Sequence, residues 1–338
     1  MAVGRQYNNL GPRIAVAGGF QIKNGIGFES GTGFPTSGTS GTTVRNAAGA
    51  PASTIYIDET TGTMFFNEGT VASPYWSPMG VNQRGIVGVM TDFSDLVGSA
   101  GTETTAFYYD KGVRFFGQGI EVNDVDTAVT ISYPLGGPLA TVGTTDEANH
   151  VMALGYGGTA GLWAPATNGV MVIDATFTGI TDILTRAFFL GFSGDANGAM
   201  ANEIDPVVTG ATTTLTFSAV GTAGDNVHGL FMDSRLTAAS TFFLATNKAN
   251  AAATQTTADA ALTVAATMPA AATYTRLRIE IDTAGNLRAF VNKVLVKTVL
   301  LAATPTKVLQ PIFYQANSTT TAALKMGVRR FGTWAARA

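Results

Sequence analysis

Cysteine is absent from the 338 residues. That excludes a disulfide framework, a thiolate metal site and a cysteine nucleophile. Histidine is scarce, with only His150 and His228, far apart in the chain. No HExxH or GxSxG pattern occurs, and "GFSGD" (191–195) lacks the final glycine of a nucleophile elbow. Serine-hydrolase chemistry therefore has almost nothing to draw on. Charged residues make up 13% of the chain, against roughly 25% in ordinary soluble domains. The net charge of −3 and a pI near 5.4 give no electrostatic footprint for nucleic acid. No run of 18 apolar residues occurs, so no transmembrane helix and no membrane partner are expected. Arg5 near the start is followed by no continuous apolar stretch of signal length, so no secretory leader is expected. Long repeats and coiled-coil heptads are missing as well.

What the chain does have is glycine, 40 residues of it, and 46% hydrophobic side chains. A surface poor in charge suits a chain that faces other protein chains. It equally suits a β protein with short polar side chains outside, and the composition leaves both open. Residues 1–50 are Gly-, Ser- and Thr-rich, as in "GIGFESGTGFPTSGTSGTTVRNAAGAP". They read as an extended attachment arm. Phe20, Phe28 and Phe34 are its candidate anchors, either in a neighbour's grooves or folded back on the chain's own domain.

Residues 51–84 read as a β-hairpin connector. Ile55-Tyr56-Ile57 and Met64-Phe65-Phe66 flank the turn-forming Asp58–Thr63, and Tyr75-Trp76 follow as an aromatic anchor. Tyr56, Phe65, Tyr75 and Trp76 thus join the three phenylalanines as expected interface residues. From 85 to 338 the pattern is strand after strand, punctuated by Gly, Asn, Asp and Pro. The spacing is that of an antiparallel sandwich or barrel. Residues 254–273, rich in Ala and Thr with Pro269, read as a loop. The clearest strand is "YTRLRIEID" (274–282). Leu277, Ile279 and Ile281 alternate with Arg276, Arg278, Glu280 and Asp282, predicting one buried face and one wet, salt-bridged face. A hairpin loop through Gly285, the strand "LRAFV", a turn at Asn292-Lys293 and the strand "VLVKTV" follow.

Three constellations resemble chemistry. Gly155-x-Gly157-x-x-Ala160 with Asp174 has dinucleotide-site spacing, but no helix pattern follows to receive a pyrophosphate. Glu121, Asp124 and Asp126, and Asp195, Asn197, Glu203 and Asp205, offer hard oxygen ligands without a calcium-loop pattern. They read as solvated loops, and no metal and no cofactor is expected. Glu280 and Asp282 on one strand face suggest glycosidase carboxylates. The Glu-x-Asp-x-x-Glu motif of laminarinase-type enzymes would place its third acid at position 285, which is glycine here.

The last third, "YTRLRIEIDTAGNLRAFVNKVLVKTV…LQPIFYQANSTTTAALKMGVRRFGTW", resembles a concanavalin A-like jelly roll. The likeness extends upstream through "GVMVIDATFTGITDILTRAFFLGFSGD". Lys293 stands where that family's hairpin has glycine, and Gly327 stands where its last strand has aspartate. The stretch "TIYIDETTGTMFFNEGTVASPYWSPM" is similar to a short module of tailed-phage fibre and capsid-decorating proteins. Together the resemblances imply an all-β protein: arm (1–50), hairpin connector (51–84) and jelly-roll sandwich (85–338). They imply a non-enzymatic, homotrimeric virion surface protein, of capsid-decoration or head-fibre type. Its partner would be the major capsid protein or another virion protein, reached through the N-terminal region. The alternative is a tail fibre or carbohydrate-binding adhesin that meets a host surface glycan, with Tyr156, Trp163 and Asp195 as candidate glycan contacts.

Overall fold

The structure is a computed structural model. It describes residues 14–15, 19–21, 27–38, 53–70, 72–81, 83–92, 97–98, 106–110, 113–117, 129–132, 139–144, 151–155, 163–179, 186–194, 208–211, 213–217, 227–233, 235–236, 241–248, 253–256, 263–267, 273–317 and 324–337. The chain divides into two compact units. The first is residues 1–87 with 293–295 and 337; the second is 88–292 with 296–336 and 338.

The first unit is built on one six-stranded sheet with its strands in sequence order. These are β1 (Ile14–Ala15), β2 (Gly19–Gln21), β3 (Gly27–Gly31), β4 (Ile55–Asp58), β5 (Met64–Asn67) and β6 (Trp76–Pro78). The expected hairpin is present: β4 and β5 pair antiparallel, Tyr56 opposite Phe65. Gly62, with φ of 74°, supplies the left-handed residue in its loop. The arm, however, is not separate from the hairpin. β3 runs parallel to β4, with Phe28 beside Ile55 and Gly31 beside Asp58. Beyond β3, the Gly38 N–H donates to the Pro74 carbonyl at 2.7 Å. The division expected at 50/51 therefore cuts through a single sheet. The physical reason is that a four-residue hairpin strand leaves an open edge, and β3 closes it.

After β6 the chain continues with β7 (Ile86–Thr91), β8 (Val97–Gly98), β9 (Ala106–Asp110), β10 (Val113–Gly117), β11 (Val129–Ser132), β12 (Leu139–Thr144) and β13 (Val151–Gly155). One short helix, α1 (Pro165–Asn168), precedes β14 (Met171–Gly179), β15 (Arg186–Ser193), β16 (Val208–Ala211), β17 (Thr214–Phe217), β18 (Val227–Asp233) and β19 (Thr241–Asn247). Then come β20 (Ala253–Thr256), β21 (Thr263–Thr267), β22 (Tyr274–Ile281), β23 (Leu287–Val291), β24 (Val294–Val299), β25 (Gln310–Asn317) and β26 (Leu324–Ala336). β20 and β21 fall within the stretch expected to be a loop. Pairing with β17 and β19 overrides its weak local preference.

Two sheets make the sandwich. One orders its strands β11-β12-β26-β14-β22-β23-β24, with β7 also on β26; the other runs β13-β25-β15-β18-β19-β21. Neighbours from β11 to β23 in the first sheet and from β13 to β21 in the second pair antiparallel. Phe177 of β14 meets Phe188 of β15 edge-on at 5.1 Å and Phe313 of β25 at 4.9 Å. These rings lock the inner faces together. The all-β sandwich read from the sequence is thus what the second unit contains. The turn between β23 and β24 has Asn292 and Lys293 at φ of 49° and 72°. Positive φ at both positions matches the strand twist of a two-residue hairpin, a conformation glycine adopts more easily than lysine.

Candidate functional site

The charged residues of 274–282 do not form a wet face. Arg278 is completely buried and Glu280 is 2% exposed, as deep as the apolar residues between them. β14 explains how. Asp174 sits at the centre of that strand, opposite Arg278 on β22 and Gly332 on β26. Arg278 donates to Asp174 Oδ2 through Nη2 at 2.6 Å and Nε at 2.9 Å. Arg276 grips the same carboxylate through Nε to Oδ1 and Nη2 to Oδ2, both at 2.8 Å. The second Arg278 nitrogen, Nη1, reaches Glu280 Oε1 at 3.1 Å. The Trp334 ring lies 5.1 Å from the Arg278 guanidinium carbon, a cation–π contact.

Two opposed effects act on Asp174. Burial pushes its carboxyl up, and the fields of Arg278 and Arg276 overcome that, aided by the Arg276 hydrogen bond and by Arg330. The result lies well below the usual carboxylate range. Asp282 belongs to the turn instead. It accepts from the Ala284 and Asn286 backbone N–H groups at 3.0 and 2.9 Å, and Arg288 Nη2 reaches its Oδ2 at 2.8 Å. At position 285 the glycine has φ of 81°, and a Cβ there would strike the Ala303 carbonyl oxygen. A glycosidase needs one carboxyl with a raised pKa and a second free to attack or activate water. Here both strand carboxylates are held by arginines, and the backbone excludes a side chain at the third position.

The other sequence candidates fall elsewhere. Tyr56, Phe65, Tyr75 and Trp76 are 0–3% exposed, inside the first unit. Phe34 packs edge-on against Phe65 at 4.7 Å, and Tyr56 packs against Trp76 at 5.9 Å. The Tyr56 hydroxyl donates to the Gly33 carbonyl at 2.9 Å. Its pKa is pushed up to about 12 by burial and then by Asp58, Glu59 and Glu29. These rings form the unit's own core rather than a presented face. Residues 27–38, read as part of the attachment arm, contact them: Gly33 accepts from Tyr56, Phe34 packs on Phe65, and Ser37 accepts from the Trp76 backbone N–H. Phe28 is half-buried in β3. Phe20 is in β2, and its side chain lies outside the described set. Trp163 is 2% exposed, bridged through its backbone to Leu309, so its ring offers no stacking face. Tyr156, Asp195 and the two acidic clusters lie outside the described residues.

Asp174, mid-strand and arginine-bound, is not placed to hold a ribose as the dinucleotide spacing would require. His228 is fully buried on β18, and neither ring nitrogen has a hydrogen-bond partner, so no triad forms through it. Among the described residues no group of three His, Cys, Asp or Glu is placed to hold a metal ion. No helix among them is long and apolar enough to cross a membrane. Sequence reasoning missed the Asp174–Arg278 pairing and Trp334 altogether. The available signal was a lone acid in the apolar run "GVMVID", matched by arginines on another apolar strand.

No family model and no curated protein matches the chain in sequence. Solved structures do resemble it. The Emp47p carbohydrate recognition domain aligns at 10% identity over 64% of this chain and 92% of its own, with a TM-score of 0.38. A Bacillus licheniformis β-glucanase aligns at 9% over 73% and 97%, with a TM-score of 0.40. Peanut lectin with a bound nonapeptide aligns at 12% over 64% and 94%, with a TM-score of 0.37. Identities and scores this low transfer neither ligand nor activity to this protein.

Proposed function

We propose that this chain is a non-catalytic structural protein of the outer surface of a phage particle, of capsid-decoration or head-fibre type. The observation that carries the non-catalytic part is the neutralisation of Glu280 and Asp282 by Arg278 and Arg288. The phage part rests on the resemblance of residues 54–79 to a fibre and decoration module. In this reading the N-terminal unit attaches to the major capsid protein or another virion protein, and the sandwich faces outward. The chain acts as a homotrimer.

Two assays test the proposal together. Purified protein is incubated with β-glucans and other polysaccharides, and reducing ends are measured. Light scattering gives the mass of the assembly in solution. No turnover and a mass near three chains are expected. Turnover that disappears in Glu280→Gln would establish an enzyme instead.

The second reading is a tail fibre or carbohydrate-binding adhesin used in host adsorption. Two of the similar solved structures, the Emp47p domain and peanut lectin, are a carbohydrate recognition domain and a lectin. Of its candidate contacts here, Trp163 is internal. A glycan array separates the readings, because a purely structural protein leaves it blank.

A further inference from the structure

His228 is the second residue of β18, opposite Phe192 on β15 and Thr246 on β19. Phe192 shares a strand face with Phe188, whose ring meets Phe177 across the sandwich, so the His228 position lies on the inner face. Its same-face neighbours Leu190, Leu230 and Leu244 are completely buried. The imidazole is 0% exposed, and neither Nδ1 nor Nε2 has a partner. A buried polar group in that state is uncommon and costly. Charging it without moving it to water costs far more.

We propose that His228 makes the sandwich acid-sensitive: below about pH 6 an opened β15–β18–β19 end of the inner layer takes up a proton that the closed form refuses, so falling pH progressively favours opening. Its place near a strand end makes the opening local. Among the described residues, the pairs Phe192 with His228, Ser193 with Val227, and Val227 and His228 with Asn247 and Thr246 lie between the ring and that strand end. Among the described residues of the packed strands, no carboxylate stands at this end to compensate for protonation. Arg186 of β15 and Asp233 of β18 stand at the far ends of their strands. Lys248, just past β19, adds a like charge. Asp174, Arg276, Arg278, Glu280, Arg288 and Arg330, on the facing sheet, occupy the register positions of its outer face. Burial, then Lys248, holds the imidazole pKa down to about 3, against an ordinary 6.5.

The direction follows from linkage. Above pH 6.5 the ring is neutral whether folded or unfolded. Below it, the unfolded or opened chain takes a proton that the closed form refuses. Closure therefore weakens about tenfold per pH unit until the folded pKa is reached.

The test compares thermal unfolding of the full chain and of His228→Phe from pH 7.5 to 4.5. The wild type should lose about thirty-fold more in its folding equilibrium than the variant between pH 7.5 and 5. Parallel pH curves would overturn the proposal. Should His228→Phe fail to fold, proton NMR of the His150→Gln chain isolates the His228 C2 proton. A resonance that stays neutral in the folded protein down to pH 5 supports the proposal. Titration near 6.5 in the folded protein overturns it.

Discussion

Arg278 closes on Asp174 with hydrogen bonds of 2.6 and 2.9 Å at a point where neither side chain touches solvent. A buried pair of this kind matters most when it is broken, because the remaining partner keeps its charge and loses its counterion. Asp174→Asn should therefore lower stability by about 3–5 kcal/mol. Urea denaturation followed by tryptophan fluorescence measures it. A loss under about 1 kcal/mol would mean the pair behaves like a surface ion pair.

The same carboxylate sets the acid limit. Asp174 is held below the ordinary carboxylate value of 3.8, so its contribution is fully present above that pH. It fades as the pH falls further and the unfolded chain takes up the proton. The stability gap between wild type and Asp174→Asn should be constant from pH 7 to 5 and narrow below about 4. A gap that closes between pH 7 and 5 would assign the effect to another group. This window also lies below the one expected to begin at 6.5 for His228.

Gly285 decides whether a third acid could be installed. With φ of 81° and the Ala303 carbonyl oxygen where a Cβ would stand, it tolerates no side chain. Gly285→Ala should destabilise by about 2 kcal/mol or more. Gly285→Glu should be worse, and should show no polysaccharide turnover. A stable Gly285→Glu variant with hydrolase activity would refute the structural reading of this strand.

Trp76 tests the first unit. Its ring is 3% exposed and packs on Tyr56, and its backbone N–H donates to the Ser37 hydroxyl oxygen at 3.2 Å. Trp76→Ala should cost about 3–5 kcal/mol in the isolated protein. An unchanged melting curve would show that the ring is not part of a folded core.

Alternation made the strands legible. Ile55–Ile57, Met64–Phe66 and Leu277–Ile281 all lie where the sequence places them, because period-two patterning and turn residues act locally. The status of the charged face was not legible. Arg278 and Glu280 read as solvent-facing because alternation marks which residues share a face, not whether that face is covered. Asp174 is 104 residues away in sequence, and only the sheet order brings it opposite Arg278. The first unit was misdivided for a similar reason. β3 carries Gly, Phe, Glu and Ser without alternation, and its strand character comes from the β4 edge beside it. Likewise, the aromatic run of the hairpin says that rings cluster, but not whether they meet a neighbour or each other.

Immuno-electron microscopy of purified particles, with antibody raised against the sandwich, tests the central proposal most directly. The account expects gold label on the outer surface of intact phage particles produced from the genome that encodes this chain. Particles that lack the protein, both by labelling and by mass spectrometry, would contradict it.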